Sequence, residues 1–389
     1  MKPQAADAII VGGGLMGAAT AFFLAKRGRS VILLERDLVG RHASGTNFGN
    51  VRRQGRFLPQ LPLANRSRDI WGRLPELIGE DAEFLPSGHL RVAFTPEDAA
   101  HLETYAHDAR PYDLDLDILS GNALRARFPF LSAAAVAGSH SAVDGHANPR
   151  LAAPAFARAA RRAGALVIEG TEVIALVKLH EDFLVETCDA RAFRAPIVQI
   201  SAGAWGGRLS TLFGEPVPLT AMGPQMGVTE PVPYAIEPVL GISTQVAEES
   251  VYLRQVKRGN IVFGGGLRGP ASLETCRAHA DPANLRRQAP QLRRLLPAIG
   301  RLNVIRTWSG VEGYVADGLP VMGSSAKVAG LYYAFGFCGH GFQLGPGVGD
   351  VMAELIDTGR TATPISPFLV SRFRSAANDR PAAAHAAHR

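Results

Sequence analysis

Ala8-Ile9-Ile10-Val11-Gly12-Gly13-Gly14-Leu15-Met16-Gly17 opens a stretch that continues as a helical run from Ala18 to Arg27, closed by Gly28. Val31-Ile32-Leu33-Leu34 and Glu35 complete it. Ala8–Val11 is too short for a helix and rich in β-formers, so it reads as a buried strand, as does Val31–Leu34. Between them Gly12, Gly14 and Gly17 fit G-x-G-x-x-G, and Glu35 follows about twenty residues on, the dinucleotide fingerprint. Gly12 makes the tight turn, Gly14 admits the approach of a pyrophosphate, and Gly17 lets helix and strand pack closely. The helix N-terminus turns free N–H groups and a positive dipole end towards the phosphates. Glu35 is placed to accept from ribose hydroxyls. The motif by itself does not choose between FAD and NAD.

With 389 residues, 47% of them hydrophobic and 20% charged, the chain has the length for two domains with substantial cores and the composition of a globular protein. With the first strand within a few residues of Met1, no signal peptide is expected, and no apolar run is long enough to span a bilayer. Cys188, Cys276 and Cys338 lie far apart. They form neither a disulfide framework nor an iron–sulfur motif, and a reducing cytoplasm is the expected location. The net charge of +6 comes from only five lysines beside 36 arginines. Those arginines alternate with acids and no aromatic RNA-binding pattern accompanies them, so nucleic acid is not an expected partner. No metal site is expected.

The segment Arg41-His42-Ala43-Ser44-Gly45-Thr46-Asn47-Phe48-Gly49-Asn50-Val51-Arg52-Arg53-Gln54 is small, glycine-rich and polar, a loop suited to close approach of a ligand. Helices are expected over 61–78 and 151–163, the second followed by a strand over 166–170. Ile197–Ile200 is a buried strand running into Ser201-Ala202-Gly203-Ala204-Trp205. Val251–Gln255 and Ile261–Gly266 flank a glycine-containing turn and predict an antiparallel pair. Near the C-terminus stand Trp308-Ser309-Gly310, Asp317-Gly318-Leu319-Pro320-Val321-Met322-Gly323 and Gly336-Phe337-Cys338-Gly339-His340-Gly341-Phe342-Gln343. A helix from about Pro346 to Asp357 follows, and no internal repeat is evident.

The fingerprint with Glu35-Arg36, the Ala-Ser-Gly loop, D-G-L-P-V-x-G and G-F-x-G-H-G-F together resemble the D-amino acid oxidase superfamily of FAD enzymes over essentially the whole chain. The nearest branches are glycine and sarcosine oxidase and, through 45–54 and Asp144–Pro149, the β-subunits of heteromeric opine (octopine/nopaline) and D-hydroxyproline dehydrogenases. The resemblance implies an α/β FAD-binding Rossmann-like (glutathione-reductase-type) domain plus an α+β substrate domain with an antiparallel sheet. Residues 1–84, 144–212 and 304–376 form the discontinuous FAD part, 85–143 and 213–303 the substrate part, and 377–389 a disordered tail. FAD contacts are implied at Gly12, Gly14, Leu15, Met16, Gly17, Glu35 and Arg36, at His42, Ala43, Ser44, Gly45, Asn47, Gly49 and Asn50, and at Val173, Ala202, Gly203 and Trp205. Gly310, Gly339, His340, Gly341, Phe342 and Gln343 complete the set, the last five in a loop beneath the N1/C2=O edge of the flavin. The FAD is expected to be non-covalent. Because Arg41–Gly45 also resembles the segment through which dimethylglycine dehydrogenases attach FAD to histidine, a link through His42 is the alternative, excluded by an apoprotein mass after denaturation.

Such enzymes take a hydride from the carbon beside an amine, and the protein chiefly holds a carboxylate and orients the C–H bond. A guanidinium matches a carboxylate bidentately, so Arg52 or Arg53 is the expected clamp, with Arg56 and Arg254 as further cations for a substrate with several carboxylates. Tyr252 is expected at the substrate or in packing. Arg254, two residues on, shares its strand face, and His340 shapes the flavin loop. Gln343 stands where sarcosine oxidase has a substrate-binding lysine, and Val262 where it has an oxygen-activating one. A dehydrogenase acting on an opine or D-imino acid is therefore favoured over an oxidase, passing electrons to companion flavin or iron–sulfur proteins. The alternatives are a self-sufficient glycine- or sarcosine-type oxidase that makes peroxide and a non-catalytic flavin-binding assembly component.

Overall fold

The structure, a computed structural model, describes residues 3–373, and the tail expected at 377–389 lies outside the described residues. A six-stranded sheet in the order 321–324, 331–335, 197–200, 8–11, 31–34, 166–168 forms the centre. Its strands are parallel except Val321–Ser324, which runs antiparallel to Leu331–Phe335. Ala8–Val11 and Val31–Leu34 are buried at every residue, as a strand covered on both faces must be. Helices Leu15–Lys26, Pro149–Arg162 and Gly341–Thr358 supply apolar side chains to one face. An antiparallel layer contributing Leu176, Phe183, Val185 and Phe193 covers the other. Strand 8–11 has 31–34 on one side and 197–200 on the other, so the chain leaves Val11 at a topological switch point, where open α/β sheets bind ligands.

Close glycine contacts set the helices. A Cβ on Gly17 would stand 2.0 Å from the Gly12 carbonyl oxygen, and one on Gly349 2.3 Å from the Ala19 Cβ. The first helix thus touches both its strand and the C-terminal helix through backbone.

An eight-stranded mixed sheet forms the second body, with His89–Ala93, Val239–Ile242, Val251–Gln255 and Asn260–Gly265 as central strands. Leu90, Val92, Leu253, Ile261 and Phe263 face a core closed by Leu292 and Leu295 of helix Pro282–Leu295. By the two-residue period, His89, Arg91, Tyr252 and Arg254 face the opposite way, towards the six-stranded body. Strand Val304–Ser309, at the start of the segment expected to return to the FAD part, pairs instead with 225–231 at the edge of this sheet. No helix among the described residues is long and apolar enough to cross a membrane, and none of them form a metal-binding cluster.

Two expected helices differ. The one expected over 61–78 is broken into Leu61–Gly72 and Leu74–Ile78, because Pro75 has no N–H to give the Trp71 carbonyl. The last helix begins at Gly341 rather than near Pro346 and encloses that proline. Side chains of the neighbouring helix mend the interruption. The Ser67 hydroxyl donates to the Gln343 carbonyl at 2.5 Å and accepts from the Gly347 N–H at 3.0 Å, while the Trp71 indole also donates to Gln343 at 2.8 Å. Ser67 is fully buried, so Ser67→Ala leaves the Gly347 N–H without a partner and should cost about 1–3 kcal/mol in chemical denaturation.

Candidate functional site

One cavity of about 1050 Å³ runs between the two bodies. At the switch point Gly12 holds φ +106°, and a Cβ there would meet the Ser201 carbonyl oxygen at 2.6 Å. Gly14 caps the first helix without a side chain, and the Leu15 N–H, one of its free donors, is taken by the Ser44 hydroxyl at 2.9 Å. The buried Glu35 carboxylate accepts from the Gly13 N–H at 2.6 Å and the Asp37 N–H at 2.8 Å. Burial nevertheless raises its pKa above the ordinary glutamate value. Arg36 lies 4.4 Å over the Trp205 ring, and the His42 Nε2 is held at 2.7 Å by Asp37. Gly12, Gly14, Leu15, Met16, Glu35, Arg36, His42, Ala43 and Ser44 line the cavity, together with Asn47, Gly49, Asn50, Val173, Ala202, Gly203 and Trp205. Gly17, Gly45 and Gly310 do not. They permit packing instead, since a Cβ on Gly45 would meet the Gly40 carbonyl oxygen and one on Gly310 the Thr46 hydroxyl.

Gly339, His340, Gly341 and Phe342 line the cavity where the C-terminal helix begins. The loop is held from both sides. Glu312 accepts from the Gly339 N–H at 2.7 Å, and Arg56 donates from both terminal nitrogens to the His340 carbonyl at 3.3 and 3.4 Å. Gln343 also reaches the wall, but its amide nitrogen donates into the core, to the Ala64 carbonyl at 2.8 Å.

The structure separates the two candidate clamps. Arg53 is bound to the wholly buried Asp144, Nε to Oδ1 at 3.1 Å, with its own N–H on Oδ2 at 2.7 Å, and does not line the cavity. Arg52 does line it, and the one hydrogen bond of its side chain among the described residues goes to the Gln54 carbonyl. Arg254 is also drawn away. It is buried, donating to the Phe48 carbonyl at 2.8 Å and lying 3.0 Å from His146 Nδ1, off the cavity wall. Tyr252 is on the wall, edge-on to Phe48 at 4.6 Å, with its hydroxyl pushed up to about 12 by burial. Val262 packs under Phe48, so this hairpin presents Tyr252, Gly265 and Gly266 to the cavity rather than Val262.

Sequence reasoning missed Arg91, Tyr105, Arg268 and Glu312, all on the wall. Arg91 carries a local signal, a cation alternating with the apolar Leu90 and Val92. The others come together only by folding. Burial lowers Arg56 to about 9, assisted by Arg52, and Arg91 to about 10, again with Arg52 adding repulsion. Burial also raises Glu312 and Tyr314.

Residues 7–355 match the model of the family described as "DAO: FAD dependent oxidoreductase". The chain belongs to this family. It is 31% identical over 376 residues to a glycine oxidase of Geobacillus kaustophilus, covering 94% of this chain and 97% of that one. It is 27% identical over 381 residues to the B component of the opine oxidase of Rhizobium meliloti, covering 94% and 97%. Among solved structures, L-proline dehydrogenase from P. horikoshii superposes with a TM-score of 0.89 at 25% identity, over 96% of this chain and 99% of that one. This DAO-family chain is an FAD-dependent oxidoreductase of amino acids or amines, and its cavity fits the cofactor. The carboxylate of Glu35, the bare backbone at Gly12 and the two converging helix N-termini at Leu15 and Gly341 match a ribose, a pyrophosphate and an electron-rich ring edge.

Glu35→Gln replaces a charged acceptor with a neutral one and should weaken FAD retention about tenfold, read from the fluorescence of FAD released on dilution. Burial, with the Arg254 charge beside it, depresses His146 from 6.5 to about 3. The folded protein keeps this ring neutral while the unfolded chain protonates it, so stability should fall as pH drops below about 6.5. His146→Gln should make the melting temperature less steeply dependent on pH between about 7.5 and about 5.

Proposed function

We propose that this chain is a dehydrogenase that oxidises the C–N bond of an amino acid or secondary amine, with an opine or D-imino acid favoured, as the catalytic β-type component of a heteromeric complex. The carrying observation is the wall opposite the fingerprint, where Arg52 and Tyr252 face the cavity beside the loop that opens the C-terminal helix. Non-covalent FAD is held by the residues that line the fingerprint half. His42 serves there through its bond to Asp37 and its ring, 5.0 Å from Trp205. FAD bound in this way supplies the hydride acceptor for the carbon next to nitrogen.

The rest falls to this chain's side chains. Arg52 takes the substrate carboxylate and so fixes which hydrogen faces the cofactor. Arg56 and Glu312 hold the 337–341 loop rigid. Tyr252 and Phe48 form an apolar flank that keeps water from the reacting carbon. Support for a dehydrogenase comes from the lining: among the described residues no lysine reaches the cavity, so no compact ammonium stands ready for superoxide. Support for a complex comes from relatives that are themselves single components of larger enzymes, the B component of an opine oxidase and the beta component of a sarcosine oxidase.

The identity to a glycine oxidase favours a second reading, a self-sufficient oxidase. One experiment separates the two. Octopine, nopaline, D- and L-proline, sarcosine and glycine are added to the holoenzyme without oxygen, and air is then admitted. Bleaching of the visible flavin band by an opine or imino acid, with slow recovery in air, is the expected outcome. Fast recovery with peroxide would establish the oxidase. No bleaching by any amine would leave a non-catalytic assembly component.

A further inference from the structure

The row of residues across the eight-stranded sheet at the cavity runs Arg91, Gly241, Tyr252, Gly264 in hydrogen-bonded register. Arg91 and Tyr252 both line the cavity, with one glycine strand between them. Neighbouring strands lie about 4.8 Å apart, so the two side chains stand on either side of a slot roughly two strand spacings wide. A Cβ on Gly241 would meet nothing nearer than 3.8 Å, and its φ needs no glycine. The slot is therefore open space, not a tight backbone approach.

The backbone of Arg91 is paired within the sheet, but its half-buried guanidinium makes no hydrogen bond or ion pair to another described residue. Its guanidinium is packed against Gly55. A Cβ there would lie 2.7 Å from Arg91 Nη1 and 3.5 Å from Arg52 Nη1, so the two cations flank one glycine. Neither is ion-paired with a carboxylate among the described residues: Asp144, the acid that acts on Arg52, is committed to Arg53, and Asp98, the acid that acts on Arg91, accepts from the Thr95 hydroxyl at 2.9 Å. Tyr105 lines the same corner. Its hydroxyl oxygen accepts from the Arg56 N–H at 2.9 Å, which leaves its own proton to donate. Two adjacent guanidinia with no carboxylate in ion-pair contact, and a phenol with a free proton, form a half-buried site with more positive than negative charge at hand, although Asp108 lines the cavity one turn from Tyr105. One carboxylate would neutralise one of the cations. A secondary amine bearing a carboxylate on each carbon beside nitrogen carries two, held a few bonds apart.

We propose that Arg91, beside Arg52 and across the Gly241 slot from Tyr252, binds a second carboxylate of the substrate, so that the site selects N-(carboxyalkyl) amino acids over amines with one carboxylate. The proposal rests on the amine-oxidising reading above and adds the residue that sets substrate class. Arg52 holds the carboxylate on the carbon that is oxidised, and Arg91 with Tyr105 holds the one on the other N-substituent. Arg91 takes no part in the chemistry.

The test compares octopine with N2-ethylarginine, which lacks one of octopine's two carboxylates beside the secondary amine and so leaves one for Arg52 and none for Arg91. Dissociation constants are read from the perturbation of the flavin absorbance of the holoenzyme, and bleaching is scored separately. The wild-type protein should bind octopine about 10- to 100-fold more tightly than N2-ethylarginine, the range for a charged hydrogen-bonded contact. Arg91→Met should bring that ratio close to one. Gly241→Val fills the slot from a position without backbone strain and should weaken octopine at least tenfold in a protein with normal FAD content. A wild-type ratio near one, an unchanged ratio in Arg91→Met, or no binding of either compound overturns the proposal. A tenfold or larger ratio that Arg91→Met abolishes, without bleaching by either ligand, supports the second-carboxylate site and counts against amine oxidation.

Discussion

Backbone contact through glycine is the constraint on which the rest of this structure depends. The first helix can lie on its strand because Gly17 has no side chain to strike the Gly12 carbonyl, and it can cross the C-terminal helix because Gly349 has none to strike Ala19. The same crossing brings Gly341 against Met16, so two helix N-termini open on one cavity. Each carries unsatisfied N–H groups and a positive dipole end. A larger residue at any of these glycines would separate the helices and, with them, the two sources of that positive potential.

The second determinant is the buried carboxylate of Asp144. By accepting from the backbone and side chain of Arg53, it fixes the segment 52–56 at the seam between the two bodies. One arginine is thereby consumed as structure and its neighbour is turned towards the cavity. Breaking such a pair would leave a buried charge without compensation, so this fold holds the orientation of Arg52 firmly. Arg56 extends the same logic, reaching from the Arg52 carbonyl to the His340 carbonyl and tying the 52–56 segment to the loop that opens the C-terminal helix.

Electrostatically the cavity has two characters. The fingerprint half places one buried acid, Glu35, among backbone donors. The opposite half gathers Arg52, Arg56 and Arg91 with Tyr105 and Tyr252, and their cations are pulled below their ordinary pKa by burial, with the Arg52 charge adding to the effect on Arg56 and Arg91. Like charges brought together at a cost in stability are a mark of a binding site, because an anionic ligand relieves the repulsion.

The sequence by itself determined the strand–glycine–helix–strand unit, the buried character of 197–200, the hairpin around Gly259 and the glycine-rich loop before the last helix. These are local: short apolar runs, turn residues and spacing along the chain dictate them. Of the residues it marked as cofactor-facing, many line the cavity, since a backbone-lined turn is written contiguously, though Gly17, Gly45 and Gly310 do not. Helix ends were less legible, because the helix runs through Pro346 where Ser67 and Trp71, far away in sequence, satisfy the Gln343 carbonyl and Ser67 also the Gly347 N–H. Only the tertiary structure decided between Arg52 and Arg53, removed Arg254 and Val262 from the wall, and added Arg91, Tyr105, Arg268 and Glu312 to it. The physical reason is that an arginine's role depends on which acceptor it reaches. Asp144, Phe48 and His146 become acceptors for Arg53 and Arg254 only when two sheets and a loop, distant in sequence, are brought together.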